Sequence, residues 1–181
     1  WFPQKSGLFT ATKILALASG GGQQVPLLAA AGADVTVFDN SKLQLQQDID
    51  VAKREHLEIR AVHGDMRDLS VFPDQSFEVI FHPCSNSFVP ELAPVWRECF
   101  RVLKQGGILM SGIVNPIVYA VDPDLDSQGS AVLKYKIPYS DLTSLNDLER
   151  LRYTDKNEPL CFGHTLEDQL GGQLQAGFHM T

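Results

Sequence analysis

Residues 14–40 read ILALASGGGQQVPLLAAAGADVTVFDN, and this stretch decides the fold. Ile14 to Ala18 is a short apolar run, stopped by Ser19, Gly20, Gly21 and Gly22. A run of that length bounded by turn residues reads as a strand buried on both faces. Gln23 to Ala31 reads as a helix, with Gly32 as its C-terminal stop. Pro26 falls in the first turn, where its missing N–H costs little. Val35 to Phe38, β-branched and aromatic, is a second strand ended by Asp39, Asn40 and Ser41. Strand, glycine turn, helix and strand in this order imply parallel strands joined by a right-handed crossover.

The alternation continues downstream. Asn40 or Ser41 caps a helix running to about Glu55. Glu58 to His63 reads as a third strand ending at Gly64 and Asp65. Phe77 to Phe81 reads as a fourth, ending at His82 and Pro83. A helix from about Pro90 to Leu103 places Leu92, Val95, Trp96, Cys99, Phe100 and Leu103 at helical spacing. Lys104, Gln105, Gly106 and Gly107 end it, and Ile108 to Val114 is a fifth strand. The expected class is α/β, with an open parallel sheet over residues 13–114. Beyond it, 115–160 carries Pro116, Pro123 and Gly129 among tyrosines and breaks the pattern. In 161–181, Thr165 to Gly172 reads as a short helix with Thr165 as cap and Glu167 and Asp168 in its first turn. Gly177 to Thr181 reads as the opening of a further strand.

Composition bounds the function. The 181 residues suit one domain with an appendage. An apolar share of 44% with 20% charged residues excludes disorder along the whole chain. The apolar runs are far shorter than the ~18 residues that a membrane-crossing helix needs. Lys5 is followed by no apolar leader segment, so no secretory leader is expected. The start at Trp1 and the stop inside an expected strand point to a longer native chain. The net charge of −7 disfavours a nucleic-acid-coating protein. Cys84, Cys99 and Cys161 form no CxxC or disulfide pattern, which fits a reduced, cytoplasmic interior. The five histidines show no metal-binding spacing, and no metal is expected.

In an open parallel sheet, ligands bind beyond the carboxyl ends of the strands. The glycines after the first strand let a backbone approach a ligand closely. Asp39, 19 residues after Gly20, can accept two hydrogen bonds from a ribose diol, or it can cap the next helix. Asp65 can accept from an adenine amine while the Met66 N–H serves a ring nitrogen, or it is a turn aspartate. His82 offers either chemistry or a backbone contact. Tyr119, Tyr135 and Tyr139 suit lid packing better than catalysis, and no catalytic base is assigned.

Three segments carry a resemblance. They are ILALASGGGQQ with VTVFDNS after it, HGDMRDLSVFPDQSFEVIF at 63–81, and ECFRVLKQGGILM at 98–110. Residues Lys13 to Gly112 resemble a class I S-adenosylmethionine-dependent methyltransferase of the type 11 group. The resemblance implies a Rossmann-like, doubly wound, mostly parallel sheet, seven-stranded in the family, with the last strand pair missing here. It implies S-adenosyl-L-methionine as cofactor and S-adenosyl-L-homocysteine as product, with in-line methyl transfer to a small-molecule acceptor. Ala18, Ser19, Gly20 and Gly22 would line its methionine portion and sugar. Asp39 would take the ribose hydroxyls, Asn40 would pack beside the adenine, Asp65 and Met66 would hold the adenine edge, and His82 would lie under the methionine end. By position alone, 1–12 would be a flap and 115–160 a substrate-covering insertion. The chain departs from the family's D/E-x-G-x-G-x-G at Ala16 and Ala18, and from its K-P-G-G turn at Gln105. Ala16 and Ala18 keep a non-catalytic cofactor-binding module open as an alternative. A nicotinamide-dependent oxidoreductase is weaker, because the third glycine of its loop would fall at Val25.

Overall fold

The computed structural model describes residues 9–154 and 158–181; residues 1–8 of the expected flap at 1–12 lie outside them. It divides into two units, the first built from the chain up to Ser85 with Pro94–Gly112, the second from Asn86–Ala93 with Ile113–Thr181.

The first unit is a five-stranded, wholly parallel sheet. Its strands are β1 (Lys13–Leu17), β2 (Asp34–Asp39), β3 (Arg60–His63), β4 (Phe77–His82) and β5 (Leu103–Ser111). They lie in the order β3-β2-β1-β4-β5. Chain order reverses at β1, so the switch point lies between β1 and β4. The helices are α1 (Gln24–Ala30), α2 (Lys42–Arg54) and α3 (Ala93–Val102). This is the Rossmann-like fold expected.

Its core follows from the two-sided strands. Ile14, Ala16, Val35 and Val37 pack with Val25 and Leu28 of α1 and Leu45 of α2. Elsewhere in the unit, Phe72 meets Phe38 and Phe77 edge-on, with ring centroids 5.5 and 5.2 Å away. Trp96 of α3 is fully buried and stands edge-on to the His82 ring at 6.0 Å.

The larger departures from the expected boundaries are in α3 and β5. α3 begins at Ala93, not near Pro90, so that Pro94 occupies the first turn, where a proline is tolerated. Phe100 falls off the buried stripe of Val95, Trp96, Cys99 and Val102 and is exposed. Lys104–Gly107 does not separate helix from strand. It lies inside β5 as an irregularity in the register against β4, with Gly106 at φ +77°. β5 also stops at Ser111, short of Val114: the Gly112 N–H still donates to His82 O and the Cys84 N–H to Gly112 O, after which the partner backbone turns at Cys84, with φ +50°.

The second unit holds a two-residue antiparallel pair, β6 (Tyr139–Ser140) with β7 (Phe162–Gly163). Around it lie α4 (Pro123–Asp126), α5 (Asp141–Ser144), α6 (Asp147–Thr154) and α7 (Gly172–Ala176). Tyr139 stacks on Tyr119 at 5.6 Å and meets Tyr135 edge-on at 5.2 Å. Its hydroxyl donates to Asp141 Oδ1 at 2.6 Å, and the Cys161 N–H donates to Asp141 Oδ2 at 2.6 Å. The tyrosines thus pack on one another. Thr165 does open a helical stretch: its hydroxyl accepts from the Asp168 N–H and donates to the Asp168 carboxylate. That stretch starts as a wide π-type turn, Glu167–Gly171, and runs on as α7. Gly177, at φ +110°, then closes α7, and the residues after it belong to no strand, unlike the expectation.

Candidate functional site

The sheet brings the ends of β1, β2 and β3 side by side. β1 is followed by Ala18, whose φ of +48° puts a non-glycine residue in the left-handed region. That conformation costs roughly 1–2 kcal/mol for an L-residue. It is held in place from both sides. The Ala18 N–H donates to Phe38 O at 2.8 Å. The Ser85 hydroxyl, at the end of β4, donates to Ala18 O and, at 2.9 Å, to Pro83 O. Strain kept by such contacts is common where a loop must hold a set shape.

Asp39 closes β2 and is 8% exposed. Its Oδ1 accepts the Ser41 N–H at 2.8 Å, and its Oδ2 accepts the Gly20 N–H at a long 3.4 Å. The capping alternative is answered by Ser41, whose hydroxyl takes the Gln44 N–H at the start of α2. Asp39 shapes the turn and reaches the glycine loop, while its second oxygen keeps most of its accepting capacity. Asn40 is exposed, and its carbonyl accepts from His63 Nε2 at 3.0 Å.

Asp65 follows β3. Arg67 grips its two oxygens through Nε and one terminal nitrogen, at 3.1 and 2.6 Å. This pairing holds the Asp65 carboxyl below the usual carboxylate range. Asp65 is thus a turn residue as well as a site candidate. Met66 is buried. His82 is 0% exposed, and its Nδ1–H donates to Leu17 O at 2.9 Å. The ring ties β4 to β1 from within.

Ser19 is buried and its hydroxyl has no partner. One residue that sequence reasoning missed also reaches this loop. Asp48 of α2 accepts the Gly22 N–H at 2.8 Å. Its signal was present: Leu45, Asp48 and Ala52 form the buried stripe of α2, with a carboxylate where an apolar residue is expected. Among the described residues, no three His, Cys, Asp or Glu side chains gather to hold a metal.

Residues 15–111, more than half of the chain, match the methyltransferase domain family. The chain belongs to that family. It is a class I S-adenosylmethionine-dependent methyltransferase. Over all 181 residues it is 54% identical to the uncharacterized methyltransferase YbaJ of Bacillus subtilis (strain 168), of which it spans 69%. Over 111 residues it is 30% identical to the sterol 24-C-methyltransferase erg6 of Aspergillus fumigatus, covering 60% of this chain and 29% of that protein. Its fold is shared with an S-adenosylmethionine-dependent methyltransferase from Mesorhizobium loti. That likeness has a TM-score of 0.72 at 17% identity, and covers 99% of this chain and 78% of the other.

The residues of this methyltransferase fit the cofactor its family implies. The unpartnered Ser19 hydroxyl and the under-used Asp39 oxygen lie at the carboxyl ends of β1 and β2. An adenosyl group, with a ribose diol and an adenine edge, carries complementary donors and acceptors.

Proposed function

We propose that Ala18, Ser19, Gly20, Gly22, Asp39, Asn40, Asp65 and Met66 hold S-adenosylmethionine, with His82 under its methionine end, and that this methyltransferase serves a small-molecule acceptor. The observation that carries the reading is Asp39, buried at the end of β2 and bonded to Gly20 of the neighbouring β1 loop. When bound, the cofactor supplies a methyl group on a positively charged sulfur. The chain's own residues then have two tasks. Asp39 accepts the ribose hydroxyls, with Asn40 beside the adenine, and the Asp65 carboxylate and Met66 N–H take the adenine edge. The strand ends orient the bound pair, and positioning in line is enough to supply most of the rate. His82 is no general base, because its ring is sealed and its Nδ1 is committed to Leu17. It supports the loop from below. Burial pushes the Cys161 thiol up to about 11 and raises the Cys99 thiol further, so neither is a nucleophile at neutral pH. The three free thiols suit a reducing cytoplasm, and the net charge of −7 argues against a nucleic-acid acceptor.

The test is a thermal shift. S-adenosylhomocysteine should raise the unfolding midpoint, since a ligand bound only by the native state stabilises it, and NAD should not. A shift with NAD alone would end the reading. Incubation with S-adenosylmethionine and a metabolite panel should then release S-adenosylhomocysteine. Binding without turnover across a broad panel would favour a cofactor-binding module.

A further inference from the structure

One face of α2 is laid against the glycine loop. Gln44, Gln47, Asp48 and Val51 share that face by their helical spacing. A Cβ on Gly20 would stand 2.8 Å from Gln44 Cβ, 3.1 Å from Asp39 Oδ2 and 3.4 Å from Asp48 Oδ2. One on Gly21 would meet Gln44 Oε1 at 2.7 Å, and one on Gly22 would meet Val51 at 3.0 Å. What these three glycines let the backbone approach is therefore α2 itself.

Asp48 is the odd member of this face. It is 0% exposed, its Oδ1 takes the Gly22 N–H, and its Oδ2 has no hydrogen-bond partner. Burial and the nearby Asp39 raise its pKa, against the lowering effect of the Gly22 and Gly21 N–H groups. A buried carboxylate with an unmet oxygen is costly, and leucine would continue the apolar stripe without that cost. Groups of this kind in a folded protein call for a functional explanation. Ala16, beneath the same loop in β1, offers no carboxylate; Asp48 brings one from α2.

We propose that Asp48 is a positioning residue of the cofactor site, its carboxylate fixing the glycine loop through Gly22 so that Ser19 and Gly20 face the ligand in register with Asp39. The inference rests on the cofactor reading given above. It concerns shape: the group that matters is the acceptor at Oδ1.

Calorimetric titration with S-adenosylhomocysteine, paired with thermal unfolding of the free protein, tests it. Wild-type binding is the control, and its absence would overturn the cofactor reading together with this inference. Given that binding, Asp48→Leu should weaken the affinity roughly tenfold or more while the unfolding midpoint of the free protein stays level or rises. Asp48→Asn keeps an oxygen acceptor for Gly22 and should bind within about threefold of wild type. A purely structural Asp48 would move stability and affinity together. The inference is overturned if the leucine variant binds like wild type, if affinity falls only in step with the midpoint, or if the asparagine variant loses as much as the leucine one. Should Asp48→Leu not fold, Asp48→Ala is read against Asp48→Asn by the same criteria.

Discussion

Two regions of this chain solve the problem of holding together in different ways. In the first unit, Ile14, Leu15, Ala16 and Leu17 are all at 0% exposure, because helices cover the sheet on both faces. In the second, Leu133, Leu148 and Leu151 stand in water, and order comes from polar bonds around Asp141 and from the tyrosine stack. Burial on the scale of the first unit gives rigidity that a loop can lean on. The candidate site uses this: its residues sit at the ends of this sheet's strands. The second unit depends on a few directional contacts, each of which can be removed singly.

That contrast can be broken at several points. The largest effect is expected for Trp96→Ala, which should cost roughly 3–5 kcal/mol in urea unfolding, since it empties a sealed site beside His82. A loss below about 1 kcal/mol would mean that the first unit is not held by its apolar core. Asp141→Ala leaves the Tyr139 hydroxyl and the Cys161 N–H without their acceptor and should cost roughly 1–3 kcal/mol. Hydrogen exchange should speed at Tyr139 and Cys161 and stay unchanged across β1. Equal acceleration in β1 would show that the two regions are not separable. Ala18→Gly relieves a left-handed backbone at some cost in chain entropy, and a net gain of about 0.5–1 kcal/mol is expected by denaturant titration.

The smallest effect is one of pH. Asp48 has a raised pKa in the folded protein, so the native state holds its proton more tightly than the unfolded chain does. Its contribution to stability is whole below the ordinary aspartate value of 3.8 and fades as pH rises through the folded value. The stability of wild type relative to Asp48→Asn should therefore fall as pH rises over that window. A rise instead would show that the carboxylate is stabilised as the anion.

The same contrast decides what could be read from residues alone. The strands of the first unit are legible because an apolar run between turn residues admits few other readings, and Asp39 is legible because it ends one of them. Asp48 is legible only in part: its spacing with Leu45 and Ala52 marks an acid on an apolar stripe, but its partner Gly22 lies 26 residues away. The glycines signal a close approach without saying to what. Gly106 and Gly107 look alike whether they end a helix or kink a strand. In the second unit, β6 and β7 have two residues each, too short for any periodicity to accumulate. The bond from Cys161 to Asp141 joins residues that nothing local connects.

The most direct test compares wild type with Asp39→Ala by calorimetric titration against S-adenosylhomocysteine. The account predicts one saturable site in the wild type and a loss of roughly 1–3 kcal/mol of binding free energy in the variant, with the unfolding of the sheet little changed. Equal affinity in the two proteins would remove the end of β2 from the site and contradict the account.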